Sequence, residues 1–294
     1  MLTLSSYRAT GWGAMAGKIA LAGSLSGASL AFLLTVMFIV FCSRRGVTIM
    51  SDVQKIALIT GANKGIGFEI ARQLGAKGLI VLLSARNQAR GDDAARRLQS
   101  EGISASAVHL DVTDQATINS AAYFIDESYG KLDILVNNAG ISLKEGRVPP
   151  SELDVEVFRK TYETNVFGVF AVTKTMLPLL RRSDAGRIVN LSSPMGSLTL
   201  NSDPQSFYAQ MPPLLAYCSS KTAVNAVTVF FANELRQTNI KVNSVSPGYV
   251  ATDLNDHNGF LTPQQGATLP VTFATLPADG PTGGFFEGNG GVPW

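Results

Sequence analysis

Six short, largely apolar runs alternate with helix-patterned stretches between residues 55 and 250, and this alternation constrains the fold more than any other feature. The runs are Ile56–Thr60, Leu79–Ser84, Ala107–Leu110, Leu132–Val136, Arg187–Leu191 and Lys241–Val245. Such continuous apolar strands suit a sheet covered on both faces rather than one with a wet side. Between them, helical patterns cover Phe68–Ala76, Gln88–Ser100, a stretch capped by Thr113 or Asp114 that ends at Tyr129, and Thr222–Arg236. A longer one opens on Ser151-x-x-Asp154, read as a capping box, and reaches Leu180 with an interruption expected near Pro178. Strand and helix succeed one another without an internal repeat, which calls for a single doubly wound α/β domain built on a parallel sheet. Thr262 followed by Pro263 starts one more helix, and Gly284-Phe285-Phe286 reads as a last short strand.

The first strand runs into Gly61-Ala62-Asn63-Lys64-Gly65-Ile66-Gly67 and then into a helix. Glycines there let the backbone turn sharply and approach a pyrophosphate seated on the helix N-terminus. The spacing is G-x-x-x-G-x-G, not the G-x-G-x-x-G of the usual dinucleotide fingerprint. At the end of the second strand an NAD enzyme places an acid for the ribose hydroxyl, but Ser84-Ala85-Arg86-Asn87-Gln88 contains none. Arg86 and Lys64 instead offer two cations for a 2′-phosphate, so the cofactor reads as NADP(H). Asp111 and Val112 end the third strand, where Asp111 can accept from the adenine amino group. Asn137-Asn138-Ala139-Gly140 closes the fourth, its small residues passing beside the cofactor and Asn138 bridging to neighbouring strands. The fifth delivers Ser192-Ser193, and the sixth ends in Ser246-Pro247-Gly248-Tyr249-Val250-Ala251-Thr252.

Tyr217 and Lys221 stand four residues apart at the start of a helical stretch, on one face. A phenol with a free pKa of about 10 needs neighbouring positive charge if its phenolate is to be reached, and Lys221 can supply it. Asn165 lies inside the long helical stretch, where Asn is a mediocre helix former, so either it faces solvent or its amide has a task. Pro194 to Ala216, rich in Pro, Ser, Asn and Gln, reads as a loop over the site.

Thr60 to Gly67, Asn137 to Gly140, Ser193, Tyr217 with Lys221, and Pro247-Gly248, in this order, resemble the classical short-chain dehydrogenase/reductase family, over roughly Lys55 to Trp294. The resemblance implies a Rossmann-type fold and gives the residues roles. Tyr217 is the general acid/base, Ser193 (rather than Ser192) binds the substrate oxygen, and Asn165 holds a water linking Lys221 to solvent. Lys221 also grips the nicotinamide ribose, and its charge with that of the oxidised nicotinamide brings the Tyr217 pKa down towards 7, roughly 4 kcal/mol of preference for the phenolate. Gly61, Asn63, Lys64, Gly65, Ile66, Gly67, Arg86, Asp111, Val112, Asn138, Ala139 and Gly140 hold the adenosine and pyrophosphate side. Pro247, Gly248, Val250 and Thr252 line the nicotinamide. The glycine loop, Ser84-Ala85-Arg86 and the long Ser193-to-Tyr217 interval are most similar to the carbonyl reductase branch, which implies NADPH-dependent reduction of an aldehyde, ketone or quinone, by a monomer or small homo-oligomer. Oxidation of a secondary alcohol and reduction of a 3-oxoacyl thioester remain alternatives on the same site. A membrane-tethered NADP(H)-binding protein without turnover is the alternative outside enzymology.

Composition adds two limits. Charged residues make up 16% of the chain, against about 25% in ordinary soluble domains. Much of the deficit lies in Ile19–Cys42, 24 residues without a charge and long enough to cross a bilayer. Residues 1–50 therefore form an N-terminal extension before a catalytic domain of 51–294. Two readings of the extension stay open: a membrane tether through 19–42, or sequence upstream of a true start at Met50. In either case the cofactor places the catalytic part in the cytoplasm. The net charge of +2, with no basic block, excludes a nucleic-acid partner. Two cysteines, Cys42 and Cys218, and two distant histidines, His109 and His257, build neither a disulfide framework nor a metal centre.

Overall fold

The computed structural model describes residues 54–288 and 290–294; the expected span 19–42 and the start at Met50 lie outside them. Seven parallel strands form the sheet: β1 (Ile56–Ile59), β2 (Ile80–Ala85), β3 (Ala105–His109), β4 (Ile134–Asn137), β5 (Arg187–Leu191), β6 (Lys241–Val245) and β7 (Phe285–Glu287). A two-residue β8 (Gly290–Gly291) adds antiparallel to β7, and the order across the sheet is β3-β2-β1-β4-β5-β6-β7-β8. The helices between them are α1 (Gly65–Gly75), α2 (Gln88–Ser100), α3 (Gln115–Tyr129), α4 (Val155–Tyr162), α5 (Gly168–Leu180), the short α6 (Leu198–Ser202), α7 (Leu215–Glu234) and α8 (Pro263–Ala274).

Period-two alternation sorts the strand residues between two cores. Ala57 and Ile59 of β1 with Ile134 and Val136 of β4 pack under α1, α2 and α8, beside Phe68, Leu74, Leu98 and Val271. Ile56 and Leu58 with Leu135 face α3, α5 and α7, beside Ile118, Ile125, Met176, Leu179 and Phe231. The doubly covered sheet expected from the apolar runs is thus observed. After β3 the chain crosses back over β1 to form β4, so the order reverses between β1 and β4 and opens a crevice at their carboxyl ends.

Local boundaries differ where tertiary packing decides. The β3 strand starts at Ala105, two residues before the expected Ala107, because Val81 pairs with Ala105. Asp114, not Thr113, caps α3 by accepting from Ala116 N. Ser151 is not a helix cap: it lies in a single 3-10 turn, and Asp154 caps α4 through Glu156 N. Pro178 does not interrupt the helix: it lies within α5, which continues to Leu180. The break comes earlier, as a π turn at Glu163–Phe167 that contains Asn165.

One rung of buried polar residues crosses the sheet just below the site. Asn137 pairs in register with Asn190, and Asn190 with Ser244. Asn137 Nδ2 donates to Asn190 Oδ1 (2.8 Å) and to Thr173 Oγ1 of α5 (3.0 Å). Asn190 Nδ2 donates to Thr228 Oγ1 of α7 (2.8 Å), which also meets Ser244 Oγ (2.8 Å). The rung fixes α5 and α7 against β4, β5 and β6. Asn190→Leu should cost on the order of 2 kcal/mol of stability by leaving Asn137 and Thr228 underpaired in the core, as read by urea unfolding.

Candidate active site

The glycine loop leaves β1 through Thr60, whose hydroxyl accepts from the backbone N–H of Asn138 and of Ala139, both at 3.0 Å. Asn138 Nδ2 returns the contact to Thr60 O (2.8 Å) and Gly61 O (3.2 Å), the bridge expected of it. Gly61 and Gly65 have φ of +63° and +60°, which disfavours any side chain. A Cβ on Gly61 would press on Ala139 at 3.1 Å, and one on Gly67 would lie 2.5 Å from Asn138 Nδ2. The loop is thereby held against β4 at the N-terminus of α1, a cradle that fits a dinucleotide pyrophosphate. Ile66 packs into the core behind it, and Asn63 is partly exposed.

Around this cradle the other expected cofactor residues fall at strand ends. Arg86 is exposed just beyond β2, and its carbonyl accepts from the His109 ring. Lys64 is exposed but paired, its ammonium bonded to Asp253 Oδ2. Asp111 Oδ1 is engaged by the Thr113 N–H (3.0 Å) and hydroxyl (2.8 Å), which orients its carboxylate. Val112 is buried against Gly168. The Val250 side chain is also buried, packed on Gly266, so any reach of residue 250 towards a nicotinamide is through its backbone. Pro247 and Gly248 (φ +81°) are partly exposed after β6, and Thr252 places its methyl 3.8 Å from a Cβ built on Gly65.

The chemistry-bearing groups converge between β5 and α7. Ser192 turns inward and donates to Asn225 Oδ1 (2.7 Å), whereas Ser193 faces the Tyr217 phenol. Lys221 is buried, with Nζ donating to Leu191 O (2.8 Å) and lying 5.6 Å from the Tyr217 ring centroid. Gly140 makes room for both neighbours: a Cβ there would meet Asn165 Oδ1 at 3.4 Å and Lys221 Nζ at 3.7 Å. Asn165, inside the π turn, uses its amide to join three segments. Its Oδ1 accepts from Ile141 N (2.8 Å), and its Nδ2 donates to Ile141 O (2.9 Å) and Ser220 Oγ (3.0 Å). Both amide hydrogens are thus taken, so a water at Asn165 would act as donor, to the main-chain carbonyl or to the second lone pair of Oδ1.

Burial dominates the electrostatics of the protein groups around Tyr217. Burial pushes its pKa up to about 12; the neighbouring Cys218 thiol adds to the rise and the Ser193 hydroxyl opposes it. Burial also brings Lys221 down to about 8.

Two residues of this site were not singled out by the sequence. Ser220 links Asn165 to the Tyr217 carbonyl (2.7 Å), and Asp253 takes Lys64. For Ser220 the sequence offers only its place three residues after Tyr217 and one before Lys221.

The model of the short chain dehydrogenase family matches residues 55–259. The chain belongs to the short-chain dehydrogenase/reductase family. It is 35% identical to (-)-isopiperitenone reductase of Mentha piperita, over 81% of this chain and 97% of that protein. It is likewise 35% identical to carbonyl reductase [NADPH] 1 of Rattus norvegicus, covering 83% of this chain and all of the relative, 100%. The solved salutaridine reductase of Papaver somniferum superposes with a TM-score of 0.69 at 33% identity, over 79% of this chain and 99% of that one. As a family member the chain is an oxidoreductase of the carbonyl reductase-like branch. Among the described residues no helix is long and apolar enough to cross a membrane, and no cluster of His, Cys, Asp and Glu could hold a metal ion.

Proposed function

We propose that the protein reduces the carbonyl group of a small molecule to an alcohol with NADPH. The observation that carries this reading is the convergence of Tyr217, Ser193 and Lys221 beside the glycine cradle at the carboxyl ends of the sheet. Resemblance to a carbonyl reductase named for NADPH and to two plant reductases supports the substrate class and the cofactor. Bound NADPH supplies the hydride. The protein supplies the rest: the Ser193 and Tyr217 hydroxyls both donate to the carbonyl oxygen, stabilising its developing charge. Tyr217 then gives up its Oη proton, and Lys221 stabilises the resulting phenolate. The phenol recovers its proton by way of Lys221 and water at Asn165.

Burial keeps the Tyr217 phenol protonated at neutral pH, the form that donates to a carbonyl oxygen. Lys221 contributes only while charged, so the rate of reduction should fall as pH rises through about 8, a decline that a pH–rate profile would reveal.

Arg86, exposed at the end of β2 with no acid in the segment that follows, is the group we assign to the 2′-phosphate. Arg86→Asp should weaken NADPH binding roughly thirtyfold, on the order of 2 kcal/mol for a charge-assisted contact, and leave NADH binding unchanged or tighter. Titration of nicotinamide fluorescence checks this; equal loss for both nucleotides would place the phosphate elsewhere.

A further inference from the structure

The segment after β6 leaves the sheet at Tyr249 and returns at Leu261, its base closed by a bridge between Val250 and Leu261 and by Ala251 N donating to Leu261 O (2.9 Å). Residues 252–260 thus form a closed excursion at the carboxyl ends of the strands. It is tied down on two sides. Asp253 bonds Lys64 of the glycine loop. Asp256 pairs with Lys144 (2.7 Å) and Arg147 (3.6 Å), both from the loop after β4. Asp256 and His257, between these ties and the returning chain, have φ of +54° and +61°, a conformation non-glycine residues seldom adopt.

Lys64 is the N-cap residue of α1, where backbone amides and the helix dipole favour an anion, and its side chain makes no cap of its own. The anion beside it here is a protein carboxylate. Thr252, the preceding residue, lies against Gly65. Its two oxygens are divided: Oδ2 takes Lys64, and Oδ1 takes His257 Nε2 at 2.9 Å. Asp253 therefore retains a partner when Lys64 leaves it. Both members of the Lys64–Asp253 pair are more than half exposed, at 62% and 55%, so the pair is weak and exchangeable.

We propose that Asp253 is a built-in competitor for Lys64 that NADPH binding has to displace, and that residue 253 thereby sets how strongly the protein distinguishes NADPH from NADH. The inference rests on the NADPH reading above. A 2′-phosphate that takes Lys64 gains a cation but must displace the carboxylate already on it. NADH lacks that phosphate and does not need Lys64. Removing the carboxylate charge therefore helps one nucleotide and not the other.

The test is a pair of titrations, NADPH and NADH, followed by nicotinamide fluorescence in full-length protein. Asp253→Asn should tighten NADPH by about two- to fivefold, the range expected for an exposed ion pair, with NADH unchanged. In the Lys64→Ala background the same substitution should bring no gain. An equal gain for both nucleotides, a weaker NADPH complex, or a gain that survives loss of Lys64 would overturn the inference while leaving the cofactor reading intact. Wild-type protein that binds NADH as tightly as NADPH would instead overturn the cofactor reading, and this inference with it.

Discussion

Tyr217→Phe is expected to lower carbonyl reduction by about 10²- to 10⁴-fold, the usual contribution of a positioned general acid, and to leave NADPH affinity within a few-fold. The substitution removes one oxygen and little else. The ring stays where Lys221 Nζ lies 5.6 Å from its centroid, and the Tyr217 carbonyl that accepts from Ser220 is unchanged, so α7 keeps its position. What is lost is the Oη proton and the second donor to the substrate oxygen beside Ser193. Lys221 does not replace it directly, because its ammonium is directed at Leu191 O. Turnover that survives in Tyr217→Phe would contradict the assignment of the acid.

Arg187→Leu should have the largest effect on stability, with no direct effect on the chemistry. Arg187 opens β5 at the end of the strand opposite Ser193 and is buried. Its guanidinium donates to Leu276 O (2.9 and 2.7 Å), Gly186 O (2.7 Å), Asn239 O (3.1 Å) and Pro277 O (3.1 Å). Two of these carbonyls lie just beyond the C-terminus of α8, where a cation also meets the negative end of the helix dipole. A leucine fills part of the volume but leaves the carbonyls unpaired in a buried place. The expected cost is about 3 kcal/mol or more, a fall in Tm of about 6–12 °C in a domain of this size. Thermal unfolding followed by circular dichroism measures it; a shift below a degree or two would mean that the carbonyls are satisfied by other donors.

The parts of the protein legible in the sequence are those written in short-range pattern. Apolar runs such as Ile56–Ile59 and Ile134–Val136 fix strands buried on both faces, and the succession with helices fixes the parallel, doubly wound sheet. The glycine loop is legible for the same reason, since Gly61 and Gly65 serve a backbone conformation that other residues avoid. Contacts between distant segments are not so written. Asn190 in the middle of an apolar strand looks like an anomaly until Asn137, Thr228 and Ser244 are brought to it by register. Arg187 likewise reads as the polar edge of a strand, and only folding carries the chain around Leu276 to it. The pairing of Lys64 with Asp253 joins residues 189 positions apart, beyond any local signal. The π turn at Asn165 shows the opposite case. An asparagine in a helical stretch was the visible irregularity, but the break it marks depends on Ile141 and Ser220, which lie on other elements.

The most direct test of the account is the loss of nicotinamide absorbance when the full-length protein is given NADPH together with aldehydes, ketones or quinones. The account predicts consumption that depends on the carbonyl compound, is faster with NADPH than with NADH, and disappears in Tyr217→Phe. Consumption that proceeds without a carbonyl compound, or persists undiminished in Tyr217→Phe, would contradict it.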